Sequence, residues 1–427
     1  MEDRNVEVEF VSGAAGSGKT FEMKRRIAED PHFGILTSTT GVSAINLDTV
    51  TVHSKLGFYD TDSLLDAYTS GKLQRRLRAL HSEGYRRLVI DEVSMLHARQ
   101  LDTLYLAINE VNVGSTFAAL DPPLGLVLTG DFCQLPPVKG EWAFKAQCWP
   151  DFAAHTTRLT KIWRQADVGF LEALNLARSG DGVETAACLK HLNCNFSLGL
   201  DLNFDGTTIV AKNAEVDRYN NIRMAAIKEE PIKLVNTRWG LQLSDWKNIP
   251  ETLTVKPTAL VMLLANNKDE AGGFVYVNGD LAHVSAVEDF GEFKLIAMTL
   301  LRGDKKVAVG QITRQNLSKQ EPSESMIAQA RLNGDRDPYF DEQRNRWVLG
   351  EVCYWPMRLG YASTVHKSQG LSLDRVQIDC RDGFFGANNL AYVALSRART
   401  VAGMRVVGSP EILARRINLD SEVKDWL

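Results

Sequence analysis

The segment Gly13–Thr20 reads Gly-Ala-Ala-Gly-Ser-Gly-Lys-Thr and constrains the fold more than any other part of the chain. It follows an apolar stretch, Val6–Val11, and precedes a helix-like stretch, Phe21–Asp30. The glycines let backbone N–H groups turn towards a polyphosphate, and the positive N-terminus of the helix points at the same phosphates. Lys19 has the reach for the β- and γ-phosphates, and the Thr20 hydroxyl is suited to holding Mg²⁺. The segment therefore predicts a phosphate-binding loop for a nucleoside triphosphate.

The bulk composition is typical of a globular chain with two or three domains, at 427 residues, 44% hydrophobic and 24% charged. No apolar run approaches the ~18 residues of a membrane-crossing helix, and the charged N-terminus lacks the apolar core of a secretion signal. Six cysteines without metal-type spacing favour a reducing compartment. We therefore expect a cytoplasmic protein without a membrane partner, nucleoid-associated if bacterial or phage. The net charge of −4 gives no global basic field, although a narrow groove can be positive on an acidic protein.

Strand-like and helix-like stretches alternate through the first 165 residues. Continuous apolar runs predict strands at Val6–Val11, Gly34–Ser38, Arg87–Asp91 and Leu124–Thr129. Such runs are typical of parallel strands buried on both faces, and functional groups collect at the carboxyl ends of these strands. Lys19, Asp91 and Asp131 fall at such ends, so we expect them to converge on one nucleotide.

A second alternating pattern begins near residue 207. It predicts a strand at Thr207–Ala211, a helix at Ala214–Lys228 and further strands at 258–265, 375–379 and 404–408. Two stretches interrupt the patterns. Residues 57–85 contain a basic helix-like run, Leu64–Leu80, and residues 281–355 are short strand-like pieces with Gly and Asn turns. Both read as insertions, the first helical and the second β-rich.

Two polar features follow predicted strands, and two arginines lie elsewhere in the chain. Asp91 suits Mg²⁺ held largely through water, and the adjacent Glu92 can orient and deprotonate an attacking water. Gln134, in Gly-Asp-Phe-Cys-Gln-Leu-Pro-Pro, can touch both the γ-phosphate and that water. Arg164 and Arg397 carry the planar guanidinium that stabilises phosphoryl-transfer charge, although a single helical Arg is more often a surface charge.

Other segments are suited to a second polyanion. Ser38–Gly41, Thr51–Ser54 and Tyr361–Gly370 supply hydroxyls, backbone N–H groups and histidines, which fit sequence-neutral contacts to phosphates and bases. Phe58 and Tyr59 carry rings that can stack on bases, but aromatic residues near a domain edge more often belong to the core.

In chain order these segments resemble the motif series of superfamily 1 helicases, most closely the 5′→3′ branch of Pif-type and RecD-like DNA helicases (superfamily 1B). The resemblance spans residue 13 to about 408 and is weakest in 166–206 and 285–350. Its most specific segments are Thr40–Asn46, Thr51–Ser54, Gly130–Pro137, Leu159–Gln165, Val365–Gly370 and Tyr392–Arg397.

The resemblance implies an α/β fold of two RecA-like parallel-sheet domains in tandem, with ATP in the cleft between them. The implied boundaries are 1–56 with 86–165 for the first domain, 57–85 for a wedge insertion, 166–280 with 356–427 for the second domain and 281–355 for an SH3-like insertion.

The resemblance also implies roles for individual residues. Catalysis falls to Lys19, Glu92, Gln134, Arg164 and Arg397, the last from the second domain. Nucleotide contacts fall to Gly13, Ala15, Gly16, Ser17, Gly18, Lys19, Thr20, Asp91, Gln134 and Gly370, with Thr20 and Asp91 also holding Mg²⁺. Nucleic-acid contacts fall to Thr39, His53, Phe58, Thr364 and His366.

One segment and two residues depart from the family pattern. Relatives usually carry a Gln-containing segment upstream of the first strand that reads adenine, and here only about five residues precede that strand. Thr39 stands where Pro is frequent, and Trp163 stands where Phe is usual.

The expected activity is an ATP-dependent 5′→3′ DNA helicase that acts as a monomer on single-stranded and forked duplex DNA. Two alternatives stay open: an RNA helicase of the same superfamily, because phosphate contacts ignore the 2′-OH, and a nucleotide-switched binding subunit without unwinding.

Overall fold

The computed structural model describes residues 6–47, 49–114, 118–138, 140–165, 167–243, 246, 249–270, 274–291, 294–387 and 389–426. The chain divides into two compact units, Met1–Val216 with Ala362–Leu427, and Asp217–Tyr361. Within the described ranges, no helix combines the length and apolar character needed to cross a membrane.

The first unit contains a parallel sheet built from strands in the first 160 residues. Over the residues described there, the strand order is β3-β2-β4-β5-β1-β6. The strands are β1 (Val8–Gly13), β2 (Ile35–Ser38), β3 (Val50–Thr51), β4 (Arg87–Asp91), β5 (Gly125–Gly130) and β6 (Thr156–Leu159). The four strands predicted from the sequence are β1, β2, β4 and β5, and their apolar side chains are buried because helices cover the sheet.

Seven helices accompany this sheet in the described part of the chain. They are α1 (Lys19–Glu29), α2 (Gly41–Asn46), α3 (Val52–Leu56), α4 (Thr61–Thr69), α5 (Lys72–Ser82), α6 (Ala98–Val113) and α7 (Trp149–Ala154). Met23 of α1 packs with Val11, Leu36, Val89 and Val127 of the strands, which fixes the start of α1 at the carboxyl end of β1. The predicted single helix at Leu64–Leu80 is two helices, α4 and α5, separated by a turn at Ser70–Gly71.

The same unit contains a second parallel sheet. Its order among the described strands is β22-β8-β23-β24-β7, and every pairing is parallel. The strands are β7 (Asn195–Ser197), β8 (Thr207–Val210), β22 (Ala362–Thr364), β23 (Val376–Asp379) and β24 (Met404–Val407). The helices near it in the chain are α8 (Val168–Arg178), α9 (Gly182–His191), α10 (Asn213–Ala226), α12 (Val365–Ser368), α13 (Leu390–Leu395) and α14 (Pro410–Arg416). Two parallel α/β sheets in tandem confirm the predicted fold class.

A C-terminal 3₁₀ turn, Ser421–Trp426, joins the two sheets of the first unit. The Trp426 ring packs 4.8 Å from the Phe132 ring and 5.3 Å from the Trp149 ring, measured between centroids. Lys145 forms an ion pair with Glu422 at 2.6 Å. The segment that follows the second sheet therefore packs against the aromatic core of the first sheet.

The second unit is mainly antiparallel. One sheet has the order β17-β16-β15-β12-β21, and its inner face buries Val261, Ala282, Ile296 and Met298. Its strands are β12 (Leu260–Leu263), β15 (Leu281–Asp289), β16 (Lys294–Leu300), β17 (Lys306–Val309) and β21 (Met357–Leu359). The sequence grouped the strand at 258–265 with the second parallel sheet. That grouping is wrong, because β12 pairs antiparallel with β15 and β21.

The remaining described elements of this unit form smaller sheets. They are β9 (Ile232–Val235), β10 (Thr237–Gly240), β11 (Thr252–Val255), β13 (Asn267–Lys268), β14 (Phe274–Tyr276), β18 (Ile312–Ser318), β19 (Tyr339–Asp341) and β20 (Arg346–Tyr354), with helix α11 (Glu324–Leu332). This agrees with the β-rich character expected of 281–355, whereas the domain boundaries and the SH3-like assignment stay predictions.

Candidate active site

The loop between β1 and α1 has the conformation of a phosphate cradle. Gly16 and Gly18 have φ angles of 82° and 88°, where a side chain would strain the backbone. The Lys19 ammonium lies inside the loop and donates to the carbonyls of Gly13 at 2.7 Å and Ala14 at 3.1 Å. Burial lowers the pKa of Lys19, while nearby carboxylates oppose that change. The loop therefore holds a buried cation in its concave side.

Thr20 and Asp91 come together as the sequence predicted. The Thr20 hydroxyl donates to Asp91 Oδ2 at 2.8 Å, and the Thr129 hydroxyl donates to the other carboxylate oxygen. Asp91 ends β4, and Thr20 lies in the first turn of α1. A hydroxyl beside a carboxylate is an oxygen donor set of the kind that Mg²⁺ takes, with water and phosphate completing its shell. The pair therefore fits a Mg²⁺ ion.

Glu92 lies directly after this pair. Its backbone is left-handed, with φ 57° and ψ 46°, and its Oε2 accepts a hydrogen bond from Gln369 Nε2 at 3.1 Å. Burial, followed by the adjacent Asp91 carboxylate, raises the pKa of Glu92. A carboxylate with a raised pKa is a stronger base than an exposed one, which suits proton transfer from water.

Gln134 reaches the same place from the end of β5. It is 3% exposed, and its backbone carbonyl accepts from Asn389 Nδ2 at 3.2 Å. Its side-chain oxygen lies 3.5 Å from Gln369 Nε2, the nitrogen that also donates to Glu92. Glu92, Gln134 and Gln369 thus form one polar cluster from three separate loops, although Gln369 and Asn389 were not predicted as site residues.

Arg164 follows β6 of the first sheet and contacts the segment after α13, which belongs to the part of the chain that forms the second sheet. Its guanidinium donates to the carbonyls of Ser396 at 3.2 Å and Gly370 at 3.4 Å. The next residue, Gln165, donates to the carbonyls of Ser396 at 3.3 Å and Ala398 at 2.9 Å. The segment after β6 is therefore tied to the turn that follows α13.

Arg397 is 1% exposed and follows α13. Within the described chain its hydrogen bonds all go to uncharged oxygens, the carbonyls of Val393, Ser368 and Leu371 and the hydroxyl of Ser396. Burial, followed by the charge of Arg164, lowers the pKa of Arg397, while the charge of Glu92 opposes this. A buried cation held by neutral groups is costly in isolation and suits a site that receives an anion.

Tyr392 is a site residue that sequence reasoning missed. Its hydroxyl accepts from the backbone N–H of Ala15 at 3.1 Å and donates to Asp131 Oδ2 at 3.4 Å. Asp131 also forms a buried ion pair with Arg178 of α8 at 2.9 Å. Tyr392 opens the Tyr-Val-Ala-Leu-Ser-Arg segment, so its motif was a usable signal. Arg178 lies outside every motif, and only the fold brings it here.

The predicted nucleic-acid contacts fall into two groups. Thr39, Phe58 and Thr364 are buried, at 9%, 2% and 4% exposure. The Thr39 hydroxyl donates to the Glu92 carbonyl at 2.8 Å, and the Thr364 hydroxyl accepts from Lys367 N–H at 3.2 Å. The Phe58 ring packs 4.6 Å from the His53 ring, in the core. The structure thus gives these three side chains internal contacts.

His366 and His53 belong to the second group. His366 is exposed just after the start of α12, and His53 is partly buried in α3. Burial, followed by the neighbouring His97, lowers the pKa of His53 to about 4. His53 is therefore neutral at physiological pH, so it can offer a phosphate a hydrogen bond but no charge.

The low pKa of His53 predicts an acid-sensitive fold. Below its ordinary pKa of about 6.5, the unfolded chain takes up a proton that the folded chain refuses until about pH 4. The free energy of unfolding therefore falls as pH drops from about 6.5 towards 4, by roughly 1–3 kcal/mol from this group. Urea unfolding of wild type and His53→Gln at pH 8 and 4.5 measures it. An identical pH-dependent loss in both proteins would contradict the prediction.

Comparison with known proteins shows which protein families this chain resembles. The family model for PIF1-like helicase matches residues 2–175, and that for UvrD-like helicase C-terminal domain matches residues 359–404. A Psychrobacter protein, ATP-dependent DNA helicase Pif1, is 27% identical over 97% of this chain and 68% of its own length. The human ATP-dependent DNA helicase PIF1 is 28% identical over 93% of this chain. This chain spans 58% of that human relative.

A solved structure agrees with these matches. Pif1 from a Bacteroides species, in complex with ADP-AlF4, superposes with a TM-score of 0.72 at 25% identity, covering 99% of this chain and 93% of that one. The two parallel sheets, the residues converging on the phosphate-binding loop and the matched relatives agree with one another. The chain is thus similar to PIF1-like helicases in its family match, its relatives and its solved structural neighbours.

Proposed function

We propose that this protein is an ATP-dependent helicase that moves 5′→3′ on single-stranded DNA and unwinds duplex DNA at forks. One observation carries the proposal. Groups from both parallel sheets meet at the phosphate-binding loop, since Gln369 donates to Glu92 at 3.1 Å and Tyr392 accepts from Ala15 at 3.1 Å. A nucleotide bound there touches both domains, so its hydrolysis changes their separation.

Each residue of the site has a defined chemical task. The loop N–H groups and Lys19 bind the phosphates of ATP, and Thr20 and Asp91 would hold Mg²⁺, which would neutralise phosphate charge. Glu92 takes the proton of the attacking water, and Gln134 orients that water against the γ-phosphate. Arg164 and Arg397 stabilise the negative charge that develops on the transferred group.

The two arginines couple ATP binding and hydrolysis to movement of the second parallel sheet's segments. Arg397 lies in the turn after α13, and Arg164 contacts that turn through the Ser396 carbonyl. ATP draws this turn towards the phosphate-binding loop, and loss of the γ-phosphate releases it.

Residues 57–85 supply the wedge that splits the duplex, and the SH3-like module in 281–355 flanks the strand. His53, Thr364 and His366 lie on the segments that grip DNA phosphates, with Thr364 offering backbone groups because its hydroxyl caps α12.

Trp163 is suited to stack on the base of the nucleotide. Its indole is 68% exposed, and its backbone N–H donates to the Gly16 carbonyl at 2.8 Å. A Cβ built on Gly18 would lie 3.4 Å from the Trp163 ring, so the indole borders the phosphate-binding loop. The Lys161 ammonium lies 3.6 Å from the centre of the same ring. A stacking surface accepts any base, so this protein selects nucleotides more by phosphates than by base.

Replacing Trp163 by Ala is expected to raise the KM for ATP about tenfold with little change in kcat, because base stacking is worth roughly 1–3 kcal/mol per base. Trp163→Phe keeps an aromatic surface and should stay within about twofold to threefold of wild type. Steady-state ATP hydrolysis at saturating single-stranded DNA measures both. An unchanged KM in Trp163→Ala would remove the indole from the nucleotide site.

Unwinding of tailed duplexes tests the main proposal. Forks with only a 5′ single-stranded tail should be opened in the presence of ATP and Mg²⁺, and forks with only a 3′ tail should not. Single-stranded DNA should stimulate ATP hydrolysis more than RNA of the same sequence. Equal unwinding from 3′ tails would contradict the polarity, and stronger stimulation by RNA would favour the RNA-helicase alternative.

Titration of protein against a fixed amount of fork tests the monomer. The initial unwinding rate should rise linearly with protein concentration while DNA is in excess. A sigmoidal rise would mean that two or more copies act together.

A further inference from the structure

Glu92 adopts a backbone conformation that a glutamate rarely takes. Its φ of 57° and ψ of 46° lie in the left-handed region, where the Cβ of a non-glycine residue crowds the following carbonyl. Glutamate has no short side chain that could bond locally to offset this strain. Such conformations persist only where surrounding contacts hold them, and they cluster at functional sites.

The Asp91 carboxylate accepts from the Glu92 N–H at 2.9 Å, and the Met95 N–H donates to the Glu92 carbonyl at 3.2 Å. Two further contacts that hold this conformation come from Thr39, one residue beyond β2. Its backbone N–H donates to the Asp91 carbonyl at 3.1 Å, and its hydroxyl donates to the Glu92 carbonyl at 2.8 Å. These carbonyls belong to the two peptide planes that flank the Glu92 Cα. Fixing both planes fixes φ and ψ together, and with them the direction in which the Glu92 side chain leaves the backbone.

That direction matters because the Glu92 carboxylate has a defined target. It points to Gln369, whose Nε2 lies 3.1 Å from Glu92 Oε2 and 3.5 Å from the Gln134 side-chain oxygen. A rotation of the Glu92 backbone out of the left-handed region would swing the carboxylate away from this cluster. Misplacing a catalytic group by about 1 Å can cost ~100-fold in rate.

We propose that Thr39 is a positioning residue for the base Glu92, acting through its hydroxyl. This deepens the proposed ATP hydrolysis and rests on Glu92 as its base. This role replaces the expectation that the Thr39 side chain contacts nucleic acid. Thr39 is only 9% exposed, and its hydroxyl already donates to a carbonyl inside the protein.

The experiment compares Thr39→Val with a closely matched variant, Thr37→Val. Thr37 lies on β2, is fully buried, and its hydroxyl donates to the Val89 carbonyl of β4 at 2.8 Å. Both substitutions remove one hydroxyl-to-carbonyl bond of equal length reaching from the β2 segment to the β4 segment. Only the bond from Thr39 ends on Glu92. Thr39→Ser restores a hydroxyl at the same position.

Steady-state ATP hydrolysis at saturating single-stranded DNA, with melting temperatures for each variant, gives the readout. Thr39→Val should lower kcat about fivefold, the rate equivalent of one net hydrogen bond. Its KM for ATP and its half-saturating DNA concentration should stay within twofold of wild type. Thr39→Ser should recover most of the lost kcat, and Thr37→Val should retain the wild-type kcat.

Three outcomes would overturn the inference. They are a wild-type kcat in Thr39→Val, an equal kcat loss in Thr37→Val, and a shift confined to the half-saturating DNA concentration, which would return Thr39 to strand binding. If Thr39→Val does not fold, a kcat in Thr39→Ser as low as that of Glu92→Gln would also overturn it. A wild-type protein without ATP turnover would instead contradict the proposed function itself.

Discussion

Replacing Glu92 by Gln is expected to lower the kcat for ATP hydrolysis by about a thousandfold, because general-base catalysis contributes roughly 10²–10⁴-fold. Glutamine keeps the shape of the side chain and its contact with Gln369 but cannot take a proton from water. The substitution leaves Lys19 and the Thr20–Asp91 pair unchanged, so ATP affinity should change little. The variant should therefore bind ATP and hold it without turnover.

Glu110→Gln is the matched control for this prediction. Like Glu92, the Glu110 carboxylate accepts a hydrogen bond from a glutamine, here Gln74 Nε2 at 2.8 Å, but it lies on α6. Its kcat should stay near wild type. Single-turnover hydrolysis and equilibrium binding of a fluorescent ATP analogue separate chemistry from affinity. A Glu92→Gln protein that turns over ATP at more than a tenth of the wild-type rate would exclude Glu92 as the base.

Replacing Arg397 by Met is expected to reduce kcat by at least a thousandfold, since an arginine finger is worth roughly 10³–10⁵ in rate. The same substitution should leave the melting temperature unchanged or raise it. Arg397 is 1% exposed and all its hydrogen bonds in the described chain end on uncharged oxygens, so the folded protein bears the cost of burying its charge. An apolar side chain of similar length removes that cost. Activity and stability should thus move in opposite directions.

Arg399→Met serves as the comparison for Arg397→Met. Arg399 lies two residues further along, is 35% exposed and pairs with Asp374 at 3.3 Å on the surface. A surface pair of this kind contributes about 0–1 kcal/mol, so neither kcat nor stability should change much. Melting curves and DNA-stimulated hydrolysis on the same preparations measure both quantities. A large loss of stability in Arg397→Met with normal turnover would make Arg397 a structural residue.

The position of each site residue along its own strand or loop was predictable from the sequence. Lys19 and Thr20 follow the glycines that form the cradle, and Asp91 and Glu92 follow an apolar strand, so short-range pattern alone places them at strand ends. The resemblance of six ordered segments extended this to Arg164 and Arg397. The same local reasoning grouped β12 with the wrong sheet, because an apolar run of four buried residues reads alike in a parallel and an antiparallel sheet.

The sequence by itself determined the glycine-rich loop with Lys19, the Asp91–Glu92 pair after an apolar strand, and the alternating pattern that the two parallel sheets follow. These features depend on neighbours in the chain, where spacing and residue type carry the information. Only the tertiary structure decided how separate segments meet. It brought Gln369 to Glu92, Tyr392 to Ala15, and Arg178 to Asp131, across separations that no periodicity encodes. It also directed the Thr39 hydroxyl to the Glu92 carbonyl, because a side chain's partner depends on which strand lies beside it.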